Sequence, residues 1–168
     1  MYIFDGAMGT MLQAAGLEEG YCPELFNIER PEVVKDIHAQ YLQHGSDVIT
    51  TNTFGACGLK LEDYDLQDRV REINIAAVKV AKEAIAENKP TARVAGSMGP
   101  TGRFLQPLGN MSFDSIYDTY REQAEALIEG GVDFIIIETI IDVQEMRAAL
   151  LASLAVSYTH LRAHETGA

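Results

Sequence analysis

Apolar residues recur along this chain with two different periods, and the alternation between them sets out an architecture. Four short runs, Tyr2-Ile3-Phe4, Asp47-Val48-Ile49-Thr50-Thr51, Ala92-Arg93-Val94-Ala95-Gly96-Ser97 and Phe134-Ile135-Ile136-Ile137, have the length and residue types of strands. The last is apolar without a break and reads as a strand buried on both faces, as in parallel sheets. Between these runs the period lengthens to that of a helix. Val33, Val34, Ile37, Tyr41 and Leu42 predict a helix opened by Pro31 and stopped near Gly45. Val70, Ile73, Ala77, Val80 and Ala84 form one stripe of a helix over about residues 66–87, and Pro90 ends it. Ile116, Tyr120, Ala124, Leu127 and Ile128 line a third, opened by Ser112 and Asp114 and closed by Gly130 and Gly131. Asp142 with Glu145 signals the start of a fourth, in which Met146, Ala149 and Leu150 are the first apolar positions. Residues 11–30 read as a short helix followed by a loop.

The strands begin near residues 2, 47, 92 and 133, so a strand–helix unit repeats every 40 to 45 residues or so. Regular alternation of this kind implies parallel strands joined by right-handed crossovers. Each strand leads at its C-terminal end into glycine, asparagine or an acidic residue. That is the pattern of a (β/α)8 TIM barrel, an α/β fold whose ligands are held by the strand-end loops. About four units make the first half of such a barrel, so the chain reads as truncated.

Composition narrows the class. An apolar fraction of 47% and a charged fraction of 23% in 168 residues support a folded domain with a real core. The net charge of −12 argues against a nucleic-acid or anionic-membrane partner. No apolar run has the length of a membrane span, and no basic-then-apolar leader opens the chain. Cys22 and Cys57 lack metal-type spacing, and a cytoplasmic protein with free thiols is expected. His38 and His44, on or beside one helix, read as packing or surface residues.

Candidate chemistry lies where the strands end. Glu138 closes the most apolar strand just as the chain turns into a helix, and Asp5 repeats that arrangement at the end of the first strand. Asp5-Gly6-Ala7-Met8-Gly9-Thr10 is a glycine-punctuated turn whose backbone N–H groups can approach a ligand closely. Asn52 and Thr53 follow the second strand, and Ser97 and Gly99 the third. The connection from Met98 to Asn110 is longer than a turn requires and is expected to fold over a site.

Four of these segments, taken in order, resemble the homocysteine S-methyltransferases and, within them, the homocysteine-binding domain of the cobalamin-dependent branch. They are Asp5-Gly-Ala-Met-Gly-Thr10, Thr50-Thr-Asn-Thr-Phe-Gly55, Gly96-Ser-Met-Gly-Pro-Thr-Gly102 and Ile136-Ile-Glu-Thr139, and Asn27-Ile-Glu-Arg-Pro31 fits the same pattern. The resemblance covers residues 1–155. It implies a methyltransferase of methionine biosynthesis in which a barrel-top zinc holds the homocysteine thiol as thiolate, the form that attacks a methyl donor. It implies methylcobalamin as that donor, and cobalamin- and folate-binding modules in the parent protein. By the same resemblance Asp5 and Glu138 face the substrate ammonium, and backbone N–H groups of Gly6 and Ala7 cradle its carboxylate. Asn52, Thr53, Ser97 and Gly99 line the pocket.

Two departures qualify the resemblance. The family's zinc ligands are three cysteines on later strands, one alone and two adjacent, and Cys22 and Cys57 match neither position. No metal ligand and no catalytic residue is therefore expected in this chain, nor methyl transfer from it alone. The second departure is residues 156–168, where the apolar pattern stops. They resemble a translated sequencing-adapter tail and are expected to be disordered or artefactual, although His160 and His164 share a helical spacing. Two alternatives stay open: a betaine or S-methylmethionine donor, and a non-catalytic half-barrel that associates with itself through exposed sheet edges. An isolated half-barrel is also expected to fold weakly or aggregate.

Overall fold

The computed structural model describes the backbone of residues 1–165 and the side chains of residues 1–157. In chain order it contains α1 (Met8–Ala14), α2 (Phe26–Glu29), α3 (Pro31–Gln43), β1 (Val48–Thr50), α4 (Gly58–Leu61), α5 (Val70–Asn88), β2 (Arg93–Met98), α6 (Phe113–Gly130), β3 (Phe134–Ile137) and α7 (Val143–Glu165). The strands form one parallel sheet in the order β1-β2-β3. Val48 lies beside Arg93, and Ala95 lies beside Phe134. Strand–helix alternation thus gives the α/β class and parallel pairing that the periodicity predicts.

The first expected strand is reduced to a bridge. Phe4 pairs with Val48, and Ile3 O accepts the N–H groups of Asp47 and Val48 at 2.7 and 3.1 Å. The Ile3 N–H goes instead to Asp47 Oδ2 at 3.1 Å, so a side chain takes a donor that a longer ladder would use.

Side-chain alternation gives the sheet two faces. On one, Met98, Ile135 and Ile137 pack against Ile116, Tyr120 and Leu127 of α6, and Ile49 and Val94 pack against Leu42, Ala81 and Ala84. This helix-covered face is the core. On the other, the rings of Phe4 and Phe134 meet edge-to-face with centroids 6.1 Å apart, joining the outermost segments across the concave side. β3 departs from expectation here. It was read as buried on both faces, yet all four residues are only half-buried. Helices cover one side of it, while its free edge and α7 bound an open groove of about 450 Å³ lined by Ile135, Ile137, Leu150 and Leu154.

The helix boundaries follow their local chemistry. Ser112 caps α6 by accepting the Ser115 N–H at 3.1 Å, and Gly131 ends it at φ 87°, a conformation in which glycine avoids the Cβ clash. Asp142 caps α7 through the Gln144 N–H at 2.7 Å. The backbone of α7 stays helical past Val156 to Glu165, and the His160 and His164 side chains lie outside those described. Among the described residues no helix is long and apolar enough to cross a membrane.

Candidate functional site

The C-terminal ends of the parallel strands bring Asp5, Thr50, Ser97 and Glu138 to one side of the sheet. Asp5 is anchored through its N–H to Val48 O at 3.0 Å. Its carboxylate accepts the Thr50 N–H at 2.8 Å and the Thr50 hydroxyl at 3.1 Å. Burial pushes Asp5 up to about 6, the Thr50 bonds oppose that shift, and the charge of Glu138 adds to it. Glu138 donates its N–H to Met98 O at 3.0 Å, which extends the β2–β3 ladder by one residue. Its Oε1 accepts the Ser97 hydroxyl at 2.6 Å. Among the described residues neither carboxylate forms an ion pair.

The other expected residues sit differently. Asn52 and Thr53 are buried, and their polar groups are spent on the framework. Asn52 donates to Pro23 O at 2.8 Å, and its own carbonyl accepts from Asn27 at 2.7 Å. The Thr53 hydroxyl donates to Ser97 O at 2.7 Å, and Gln123 holds Thr53 O at 2.8 Å. Gly6 and Ala7 are exposed on the turn before α1. Tyr41 clasps that turn by donating to Ala7 O at 3.1 Å, and a Cβ on Gly6 would come within 2.9 Å of the Tyr41 hydroxyl. Gly99 is tighter still: its N–H bonds Phe54 O at 3.0 Å, and a Cβ there would lie 2.6 Å from the Phe54 ring. Only glycine fits beneath that ring.

The geometry also involves residues whose role the sequence reading did not reach. Thr50 reads from the sequence as a strand residue and the start of a family segment, with no role in the site, although a threonine opposite an acid at a strand end is a natural hydrogen-bond partner. Glu145 reads from the sequence only as part of the signal that starts the fourth helix. Its Oε1 accepts the Thr101 N–H and hydroxyl, both at 2.7 Å, and lies 3.0 Å from the Tyr120 hydroxyl. Chemically, two strand-end carboxylates held by hydroxyl groups and lacking a cation suit a ligand that brings its own positive charge.

The sequence profile of homocysteine S-methyltransferase matches residues 2–164. The chain belongs to the homocysteine S-methyltransferase family. It is 41% identical over 159 residues to methionine synthase of Mycobacterium tuberculosis and 38% identical to that of Mycobacterium leprae. In both cases 89% of this chain is matched but only 13% of the relative, so the chain spans a small part of the curated proteins it is similar to. Among solved structures, the metallated form of homocysteine methyltransferase MmuM from Escherichia coli superposes with a TM-score of 0.77 at 27% identity. That match covers 94% of this chain and 60% of MmuM. The oxidized form gives 0.77 at 25% identity over 92% of this chain and 58% of MmuM.

Membership raises the question of which residues could hold a metal or a corrin. Among the described residues no three His, Cys, Asp or Glu side chains group to hold a metal ion. Both thiols are buried, and burial pushes each up to about 12, the reverse of what a thiolate ligand needs. Of the described histidines, His38 is sealed in the core, and His44 bonds Gln40 O at 2.7 Å through Nδ1. The described side chains do not fit a zinc site.

Proposed function

We propose that residues 1–155 are the homocysteine-binding half of a (β/α)8 barrel whose parent is a methionine synthase, methylating the homocysteine thiol from methylcobalamin. The observation that carries this reading is the pair of carboxylates, Asp5 and Glu138, supported by Thr50 and Ser97 at the ends of one parallel sheet and, among the described residues, without an ion-pair partner. An α-ammonium group supplies the missing charge, and each carboxylate then gains a charge-assisted hydrogen bond. The turn at Gly6 and Ala7 receives the substrate carboxylate, and Asn52, Thr53, Ser97 and Gly99 form the wall. Since this chain's thiols do not suit zinc, activation of the substrate thiol rests on ligands from the remaining strands, and methylcobalamin on a separate module. A substrate thiol that must stay reduced to accept a methyl group suits a reducing cytosol.

Binding of L-homocysteine to the 168-residue chain, read by calorimetry, tests this. Asp5→Asn and Glu138→Gln are each expected to weaken binding at least tenfold, in line with the loss of a charged hydrogen bond. Wild-type binding that neither variant alters would sink the assignment. The isolated chain, given zinc and methylcobalamin, is expected to form no methionine. Turnover with betaine or S-methylmethionine once the remaining strands are supplied would move the parent to the cobalamin-independent branch.

The groove beside β3 favours a second reading, in which the half-barrel pairs with another copy through its free edge. Sedimentation across a hundredfold range of concentration separates the two readings.

A further inference from the structure

β2 hands over to a long connection and β3 to a short one before the next helix, and one buried carboxylate ties the two together. Glu145 is 4% exposed, and its carboxylate accepts hydrogen bonds from Thr101 and Tyr120 that converge on Oε1. Thr101 belongs to the connection after β2, which carries Gly99. Tyr120 lies on α6, and its hydroxyl also sits 3.0 Å from Gly99 O. Glu145 itself lies in the first turn of α7, directly after the connection that starts at Glu138. Among the described residues no cation offsets its charge, so the carboxylate is held by hydrogen bonds alone.

A second observation lies between Glu138 and Glu145. Thr139 has φ 62°, a left-handed conformation that a β-branched residue adopts only under constraint. Such a residue persists when the structure on both sides of it is fixed. On one side the Glu138 N–H is bonded to Met98 O. On the other, Asp142 caps α7, and Glu145 locks that first turn to Thr101 and Tyr120. The turn at Thr139 is what sends the chain away from the strand while Glu138 stays against Ser97.

We infer that Glu145 is a positioning residue, whose buried clamp on Thr101 and Tyr120 holds the Thr139 turn and so keeps the Glu138 carboxylate against Ser97, where an amine-bearing ligand meets it. The inference rests on the reading of Glu138 as the ammonium partner. Without the clamp the turn relaxes, and the site loses its grip on the charged end of the ligand before it loses the fold.

The test uses the 168-residue chain and two thiols, L-homocysteine and 4-sulfanylbutanoate, which lacks the amino group. Wild type is expected to favour L-homocysteine at least tenfold. Glu145→Ala should reduce that preference to within about twofold of unity, whereas Glu145→Gln, which keeps an acceptor oxygen, should retain most of it. A general weakening would lower both affinities together and leave their ratio intact, and that outcome overturns the inference. Should Glu145→Ala fail to fold, Tyr120→Phe and Thr101→Ala each remove part of the clamp, and the same ratio is read on them. If wild type binds neither thiol, the functional reading fails, and the clamp is judged by amide hydrogen exchange. Exchange in Glu145→Ala, or in Tyr120→Phe where that variant fails to fold, must then rise at least fivefold in both 99–102 and 138–142, while Glu145→Gln stays near wild type. A rise confined to the α7 end would overturn it.

Discussion

Asp5 shows how a single side chain of the proposed site can trade stability for binding. In the folded chain it holds its proton up to about pH 6, against an ordinary value of 3.8, because burial outweighs the Thr50 bonds. An acid with a raised value binds protons more tightly folded than unfolded, so its contribution to stability is lost as pH rises from about 4 to 6. At neutral pH the ionised carboxylate therefore destabilises the empty chain. Allowing for its partial exposure, Asp5→Asn should stabilise by about 1 kcal/mol at pH 7 and by almost nothing at pH 4. Urea unfolding at the two pH values checks this, and an equal shift at both would refute it. A cationic ligand favours the ionised form, so L-homocysteine affinity is expected to fall as pH drops below 6, while Asp5→Asn loses that dependence. The same residue shows what a sequence can convey. Asp5 and Glu138 stand out because acids at strand ends are rare in apolar runs. Thr50 and Glu145 do not, because their residue types suit a strand and a helix cap equally well, and only the fold reveals which hydroxyl or N–H each one meets.

At the scale of elements, the apolar periods located every long helix and three of the four strands. α3, α5 and α6 bury the stripes read from the sequence, with Ile37, Ile73 and Tyr120 essentially inaccessible. The shortfall at Tyr2-Ile3-Phe4 and the half-buried β3 share a cause. Strand propensity reports what a segment can do, whereas ladder length and burial depend on neighbours encoded elsewhere. Caps are more local and easier to read. Ser112→Ala removes the bond to the Ser115 N–H and should cost about 1 kcal/mol, visible as a lower urea midpoint with an unchanged slope. The open flank of β3 and α7 makes a different prediction. If copies associate there, Leu150→Glu and Leu154→Lys should each restore a monomer at concentrations where wild type sediments as a larger species. Persistence of the larger species in both variants would move the interface elsewhere.

For the molecule as a whole, a buried histidine on α3 opposes Asp5. His38 is fully buried with both ring nitrogens unpartnered, and burial holds it down to about 4. Unfolded, it takes up a proton near 6.5, so its contribution to stability is lost as pH falls from 6.5 toward 4. Over the interval from 4 to 6 the two residues act in opposite directions. His38→Met removes one of them. Relative to wild type, the variant should gain about 1–2 kcal/mol more stability at pH 5 than at pH 7, measured by urea unfolding. A gain that does not depend on pH would show that His38 is not the group that titrates.

The edge-to-face contact of Phe4 and Phe134 also bears on how the site comes into being. Phe4 is made early and Phe134 late, so on a ribosome adding about 5–20 residues per second the second ring follows the first by roughly ten seconds. Asp5 meets Thr50 as soon as β1 emerges, but Glu138 arrives only after all three strands have left the tunnel. Helices α3 and α5 can dock meanwhile through contacts close in sequence, whereas closure across the concave side depends on the most distant pairs in the chain and comes last. A nascent chain therefore carries Asp5 and Thr50, one half of the proposed ammonium site, without the partner carboxylate until β3 emerges.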